Sequence, residues 1–425
     1  MLEQLEALSR RFVSETNRPF RRYFLDKWKL DQKLSIVVGQ RGVGKTTCLV
    51  QHLADELASA PEEGSGRGRR GPPAVPGMRG LFVQLDHVTA AGINLYELAG
   101  EFHGLGGRLL CLDEVHKYAG WQGHLKSIHD TFPALRIVAS GSSALQLRHG
   151  IHDLSRRAAV LPMEILPFRE YIALSTGLAL PAASLSDMLA EHEQLAREVV
   201  GRLSGLGLKV LALFREYLRV GSYPYFLDVT DENLFLMAVE QTVRTTLESD
   251  LLAVHPTLTG AAARRMERLL AVIAASVPFV PDMRGLARSL DIGDERTVKT
   301  YMMYMEEAGV LRSLSRSGRG LRQLEKPDKI YLGSTGQAHA LAVGRNPETG
   351  TVRETFALSM LAPWHKVVVP DSGDFLVDGT IRLEVGGPGK TASQIRGRRT
   401  GFVVADGIEV GLRRRIPLWL LGFLY

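Results

Sequence analysis

Cysteine is nearly absent from this chain. Cys48 and Cys111 are the only two in 425 residues. One lies beside a glycine-rich stretch and the other inside an apolar run, which excludes a disulfide framework or a cysteine-based metal site and fits a reducing compartment. Long apolar runs are missing too. The longest late one, from Ile416 to Tyr425, is too short to span a bilayer, and the first residues hold no apolar core of signal-peptide type. A soluble, cytoplasmic chain without a membrane partner is expected. No strict internal repeat is visible. A strong charge imbalance is also lacking: the formal net charge of +6 permits an acidic partner such as nucleic acid without demanding one, so clustering of charge matters more than its total.

What is present suffices for real cores, since 45% of the residues are apolar. At this length two to four domains are expected. The stretch around which the rest is organised is Gly39-Gln40-Arg41-Gly42-Val43-Gly44-Lys45-Thr46-Thr47. Before it, Leu34-Ser35-Ile36-Val37-Val38 reads as a buried parallel strand; after it, Thr47 to Leu53 reads as the start of a helix. Strand, glycine-rich loop, then helix with Lys-Thr at its mouth is the P-loop arrangement. Gly39, Gly42 and Gly44 let the backbone curl so that several N–H groups point at one anion, and the helix N-terminus adds partial positive charge. Lys45 can bridge the β- and γ-phosphates, and the Thr46 hydroxyl can ligate Mg²⁺. ATP and Mg²⁺ are the expected ligands.

Residues 2–30 are expected to be helical and basic, with Leu2, Leu5 and Leu8 on one face and Arg10, Arg11, Arg18, Arg21 and Arg22 elsewhere. A segment rich in Gly, Pro and Arg, 61–80, reads as a flexible surface insert. Short apolar strands then alternate with helices. Strands are predicted at Leu81 to Asp86, Arg108 to Glu114 and Leu135 to Ser140, with helices at Ile93 to His103 and His124 to Thr131. This is the pattern of a doubly wound α/β sheet, in which ligands sit beyond the carboxyl ends of the strands. From Phe168 the signal turns helical, suggesting a lid. Helices at Met266 to Ala275, Asp282 to Leu290 and Asp294 to Ala308, then a strand and a basic turn, give the winged-helix pattern. The last block mixes a helix, Thr351 to Leu361, with several strands, among them Ile416 to Leu424.

Chemistry follows from position. Asp113-Glu114 ends an apolar strand downstream of the P-loop, so Asp113 is expected to hold Mg²⁺ and Glu114 to polarise the attacking water. Ser140-Gly141-Ser142-Ser143 offers either a hydroxyl to the γ-phosphate or a helix-capping turn. Arg156 and Arg157 suit either a finger or sensor on a neighbour's γ-phosphate, which an oligomer would require, or a surface salt bridge. Arg296 and Lys299 on the third helix, with Arg316 and Arg319 in the turn, could meet DNA; such modules also serve as protein-binding domains. Glu354, Asp374 and Glu384, followed by Lys390, have the rough spacing of a restriction-type nuclease site. The lysine of that pattern, however, falls two residues after the second strand acid, where this chain has Gly386.

Taken together, these residues resemble the prokaryotic AAA-class ATPases that carry a C-terminal domain of unknown function. The similarity spans nearly the full length. It rests on GQRGVGKTT, LLCLDEVHKYAGW, LKSIHDTFP, IVASGSSAL, DLSRRA, LPFREY, VGSYP, RETF, DFLVDG and LEVGGPGKTASQI. The resemblance implies a P-loop AAA-type doubly wound parallel sheet, then a helical lid, a winged helix and a small α/β restriction-endonuclease-like domain. The expected spans are an N-terminal helical segment 1–30, an ATPase core 31–166, the lid 167–262, the winged helix 263–332, and an inactive nuclease-like domain 333–425. It strengthens Glu114 and Ser142 as functional residues, and Arg156 or Arg157 as an arginine sensor. The expected function is Mg-dependent ATP hydrolysis by a switch acting on or near DNA. The alternatives are a nucleotide-gated module for a protein partner and a metal-dependent nuclease.

Overall fold

Leu34–Val38 (β1) is buried along its whole length, as a strand covered on both faces must be. It lies inside a five-stranded sheet of order β2-β3-β4-β1-β5, with β2 at Gly80–Gln84, β3 at Leu109–Asp113, β4 at Arg136–Gly141 and β5 at Ala159–Pro162. Every pairing is parallel, so the carboxyl ends of all five strands share one edge. The computed structural model describes residues 1–59, 79–141, 154, 156–255, 257–316, 327–391 and 400–425. These divide into two compact units, Met1–Met163 and Glu164–Tyr425. Ser142, Arg319 and most of the expected insert, 61–78, lie outside the described residues.

The first unit is the α/β sheet that alternation predicted. Leu2–Thr16 (α1), Leu95–Gly104 (α4) and Trp121–Thr131 (α5) share one core with alternate strand residues such as Leu34, Ile36, Leu110, Leu112 and Ile137. The intervening Val37, Cys111 and Val138 are equally buried, on the side taken by Lys45–Ala58 (α3), because successive strand side chains point to opposite faces. Strand β5 was not predicted; it is a four-residue edge strand ending in Pro162, where a missing N–H does no harm.

The single helix expected over 2–30 is instead two, α1 and the short Tyr23–Lys27 (α2). Pro19 explains the break, since it disfavours helix at the residue before it. The inward stripe of α1 is Leu2, Leu5 and Ser9, while Leu8 is exposed. Ser9 turns in because its Oγ accepts the backbone N–H of Phe82 at 2.9 Å, on the outer strand β2, and Phe12 stacks on Phe82 beside it.

The second unit begins with helices Phe168–Thr176 (α6), Leu185–Ser204 (α7), Val210–Val220 (α8) and Glu232–Thr245 (α9). Gly260–Ala274 (α10), Met283–Ser289 (α11) and Glu295–Glu307 (α12) follow, then an antiparallel pair, Leu311–Leu314 (β6) and Lys329–Leu332 (β7). The predicted stripe Val298, Tyr301, Met302 and Met305 is the buried face of α12. After Thr335–Leu341 (α13) and Thr349–Leu361 (α14) comes a mixed sheet of order β12-β11-β10-β9-β8. Its strands are Val367–Val368 (β8), Phe375–Val377 (β9), Ile381–Gly386 (β10), Gly401–Ala405 (β11) and Arg415–Pro417 (β12).

Phe168, Phe214, Tyr217, Phe356, Trp419 and Phe423 form one aromatic core. It corrects the expected strand from Ile416 to Leu424: β12 stops at Pro417 and a 3-10 turn, Leu418–Phe423, follows. Every residue of that turn is buried, so the run had no periodicity to tell turn from strand. Gly422 is needed there, because a Cβ on it would stand 2.5 Å from Cβ of Phe168.

Ser9→Ala removes the acceptor of a buried β2 N–H. It should lower stability by about 1–3 kcal/mol, read as a reduced midpoint in denaturant titration, whereas Leu8→Ala on the exposed face should change it far less.

Candidate functional site

Residues 39–44 link β1 to α3 at the carboxyl edge of the parallel sheet. Gly42 and Gly44 have φ of 84° and 99°, a left-handed backbone that glycine adopts without strain. Gly39 serves differently: a Cβ there would lie 2.3 Å from the carbonyl oxygen of Met163, so it is close approach, not a positive φ, that demands glycine. The Lys45 ammonium is drawn back over the loop and donates to the carbonyls of Gly39 and Gln40 at 2.9 and 2.8 Å.

Thr46 Oγ1 donates to Asp113 Oδ2 at 2.8 Å. The strand that leads to Thr46, β1, and the strand that ends in Asp113, β3, are separated by β4, and β4 supplies the piece between: Ser140 Oγ donates to Asp113 Oδ1 and accepts the backbone N–H of Glu114 at 3.3 Å. Burial pushes the Asp113 carboxyl up, and the hydrogen bonds from Ser140 and Thr46 and the charge of Lys45 pull against it. Glu114 follows in the left-handed region, φ 52° and ψ 41°, with its side chain largely covered.

The structure thus brings Lys45, Thr46, Asp113 and Glu114 to one edge, as the motif spacing suggested. Ser140, expected at the carboxyl end of the fourth strand at the start of a Ser/Gly stretch, makes the contact with Asp113. Two further residues were not singled out. His116 stands with Nε2 3.4 Å from Glu114 Oε2; a histidine two residues after Glu114 was the available signal. Arg22 is buried and donates to the Val43 carbonyl at 2.7 Å. Its neighbours serve as staples too. Arg21 makes two bonds to Asp55, and Gln51 caps the carbonyls of Arg18 and Phe20. Arg157 makes a two-pronged pair with Asp130 at 2.8 and 2.9 Å, the salt-bridge alternative, while Arg156 is exposed.

In the second unit, Arg296 is exposed and Lys299 half-buried on α12, off its apolar stripe. Arg316 is exposed and pairs with Asp328, and Arg312 of the same hairpin is taken by Glu164 at 3.0 Å.

Glu354, Asp374, Glu384 and Lys390 converge between α14 and the mixed sheet. Tyr331 donates its hydroxyl to Glu354 Oε2 at 2.8 Å, and burial, followed by the negative charge of Asp374, raises the Glu354 carboxyl. Asp374 Oδ2 accepts the Val385 N–H. Glu384 is fully buried, and Lys390 Nζ lies 3.1 Å from its Oε1 in an ionic contact rather than an aligned hydrogen bond. The stem of Lys390 folds back over Gly386, where an added Cβ would meet its Cγ and Cδ at 2.7 Å. Among the described residues, no group of three acidic, histidine or cysteine side chains is arranged to hold a metal ion, and no helix is long and apolar enough to cross a membrane.

Lys390→Met leaves the Glu384 carboxylate buried without its counter-charge. Denaturant titration should show a loss of about 2–3 kcal/mol, toward the low end for a broken buried pair because the lysine is 30% exposed. Adding Glu384→Gln should recover part of it.

Comparison with known proteins places this geometry. A family profile described as an AAA domain matches residues 31–172, and one described as a domain of unknown function matches residues 211–348. No curated protein matches the chain. Among solved structures, the Walker-type ATPase PABY2304 of Pyrococcus abyssi is 11% identical, over 75% of this chain and 93% of its own, with a TM-score of 0.38. AMPPCP-bound DnaA from Aquifex aeolicus is 17% identical, over 72% and 91%, with a TM-score of 0.24. PCH-2 of C. elegans is 12% identical, over 70% and 66%, with a TM-score of 0.24. These three superpose too loosely to bear on the chemistry of this chain. The profile match does bear on it: the P-loop, Asp113, Ser140 and all five strands of the parallel sheet fall in the span, residues 31–172, that is similar to AAA domains, and the sheet is that of a P-loop α/β fold.

Proposed function

We propose that the protein binds and hydrolyses Mg·ATP at the carboxyl edge of its first sheet, as an AAA-class switch acting on or near DNA. The observation that carries this reading is the hydrogen-bonded set Thr46–Asp113–Ser140 beside a glycine loop whose φ values suit phosphate. A hydroxyl and a carboxylate 2.8 Å apart are oxygen donors of the kind Mg²⁺ takes, usually one or two from the protein with the rest from phosphate and water. Thr46 and Asp113 would hold the ion, which when bound neutralises charge on the β- and γ-phosphate oxygens. Residues 39–47 offer backbone N–H groups to the phosphates. Lys45 exchanges two neutral carbonyl acceptors for charged phosphate oxygens, a stronger bond. Glu114 orients and polarises the attacking water. Ser142 is proposed to read the γ-phosphate. With Arg157 held by Asp130, Arg156 is the better candidate for a finger or sensor.

The DNA arm of the reading rests on α10–α12 followed by the β6–β7 pair, a winged-helix arrangement within 263–332, with Arg296, Lys299 and Arg316 (and Arg319) as contacts. The proposal takes 1–30 as the N-terminal segment, 31–166 as the ATPase core, 167–262 as the lid and 333–425 as a nuclease-like domain. One observation favours reading the last as retired: the Lys390 ammonium sits against Glu384 and supplies the positive charge a cation would bring.

Lys45→Ala should abolish binding of a fluorescent ATP analogue. Glu114→Gln should keep that binding and slow phosphate release by about 10²–10⁴-fold, the usual worth of a general base; wild-type turnover in Glu114→Gln would remove Glu114 from this role. Duplex binding should weaken steeply with salt, and Arg296→Ala with Lys299→Ala should shallow the log–log slope by about 2. No duplex binding at low salt would instead favour a protein partner. Incubation of duplex with Mg²⁺ or Mn²⁺ should leave it uncut; cleavage that disappears in Asp374→Ala would overturn the retired reading.

A further inference from the structure

Val43 sits inside the phosphate loop with a glycine on each side, Gly42 at φ 84° and Gly44 at φ 99°. Its side chain is fully buried and lies close to Gly39, where an added Cβ would meet its Cγ2 at 3.3 Å. Packing therefore fixes the side chain. The same packing does not fix the peptide plane from Val43 to Gly44. A turn of that plane changes ψ of Val43 and φ of Gly44, and glycine sets no Cβ against the rotation. A trans peptide carries its C=O and N–H on opposite sides. Whatever holds the Val43 carbonyl thus decides where the Gly44 N–H points.

The Arg22 guanidinium holds it. Nη1 of this buried residue donates to Val43 O at 2.7 Å. The guanidinium carbon also stands 5.5 Å from the centre of the Tyr23 ring, within cation–π reach. Arg22 is the residue that opens α2, and the chain leading up to it is fastened along α3, the helix into which the loop runs. Gln51 of that helix, itself buried, donates from Nε2 to the carbonyls of Arg18 and Phe20 at 2.9 and 2.6 Å. Arg21 forks onto Asp55 one turn further along. The donor to the loop therefore comes from a segment tied to the loop's own helix.

We infer that Arg22 is a positioning residue for nucleotide binding: by holding the Val43 carbonyl it keeps the Gly44 N–H turned toward the phosphates. The inference rests on the reading of residues 39–47 as an ATP site. A hydrogen bond from a charged donor is roughly twice as strong as a neutral one, and a turned peptide would take this acceptor away from a buried guanidinium. The receptive loop is therefore favoured before nucleotide arrives, and less binding energy goes into ordering it. Lys45 works differently. It must give up the carbonyls of Gly39 and Gln40 to reach phosphate, whereas the bond from Arg22 can persist in the bound state. That bond touches neither Glu114 nor the attacking water, so its loss should raise KM and leave kcat.

The test compares wild type, Lys45→Ala, Arg22→Met and Arg22→Lys. Each is titrated with a fluorescent ATP analogue, assayed for steady-state Mg·ATP turnover, and challenged with inorganic tripolyphosphate as competitor. Methionine fills the volume of the stem without a donor; lysine keeps a charged donor on a shorter reach. Arg22→Met should weaken analogue binding and raise KM by about 10–100-fold, the worth of one hydrogen bond to a charged group, with kcat within about threefold of wild type. Arg22→Lys should fall between the two. Tripolyphosphate has the phosphates without base or sugar and should lose affinity by the same factor. Wild-type affinity in Arg22→Met, a fall in kcat as large as the rise in KM, or a loss seen with the nucleotide and absent with tripolyphosphate would overturn the inference. Should Arg22→Met fail to fold, Arg22→Lys decides: a KM raised several-fold with wild-type kcat supports the role, and a wild-type KM refutes it. If Lys45→Ala binds the analogue like wild type, the reading of the loop fails first and takes this inference with it; if Lys45→Ala does not bind and Arg22→Met binds like wild type, only the role of Arg22 falls.

Discussion

The contact on which the site depends is the hydroxyl of Ser140. It lies at the end of β4, between the strand that leads into the phosphate loop and the strand that ends in Asp113-Glu114. It donates to Asp113 and accepts from the Glu114 backbone, and Asp113 in turn accepts from Thr46 on the far side. One buried side chain therefore ties the end of β4 to the end of β3, and Asp113 carries the link on to Thr46 at the start of α3. A parallel sheet alone cannot do this, since its ladder fixes register along the strands but not the direction of the side chains beyond them. Burial of Asp113 raises its carboxyl, and the two hydroxyl bonds oppose that rise. The pair of donors lessens, without reversing, the bias that burial sets against the charged form.

The loop next to it is closed on itself. Lys45 satisfies two of its three N–H donors on carbonyls of Gly39 and Gln40, and Arg22 takes the carbonyl of Val43 from outside. Carbonyls turned away toward cations leave the amide N–H ends of the same peptides directed the other way, which is the geometry an anion needs. The basic residues of the N-terminal segment serve this arrangement indirectly. Arg21 and Arg22 spend their charge on Asp55 and on the loop backbone, so the segment works as a brace for the loop.

The sheet was legible in the sequence because its strands are short apolar runs bounded by turn residues, and because ligands of such sheets sit beyond the carboxyl ends of the strands. Leu34–Val38 and Leu109–Asp113 could be located from composition alone. The P-loop residues were legible for a local reason: glycine, lysine and threonine at those offsets have few other uses. What remained hidden depended on tertiary context. Ser9 replaced Leu8 on the inner face of α1 because an edge-strand N–H needed an acceptor, a demand invisible to helical periodicity. The 3-10 turn Leu418–Phe423 read as strand because it is buried on all sides. His116 was passed over because its nearness to Glu114 comes with the left-handed backbone of Glu114, two residues earlier, which no residue type announces.

Gly386 shows the same limit from the other direction. Read as a position, it is the place where a strand lysine is missing, and Lys390 further along is the candidate to substitute with a different geometry. In three dimensions the chain reverses through Gly387-Pro388-Gly389, with Lys390 N–H returning to the Gly387 carbonyl at 3.0 Å. The stem of Lys390 then passes through the volume a side chain at 386 would fill, and its ammonium ends beside Glu384. The glycine is thus the condition for the lysine that replaces it. A buried carboxylate must be paired or neutralised, so once Glu384 is kept at the centre of the sheet some cation has to reach it. The turn and the glycine together supply that cation from within the chain. The ionic contact of Lys390 with Glu384 thus couples this acidic residue to the stability of the domain.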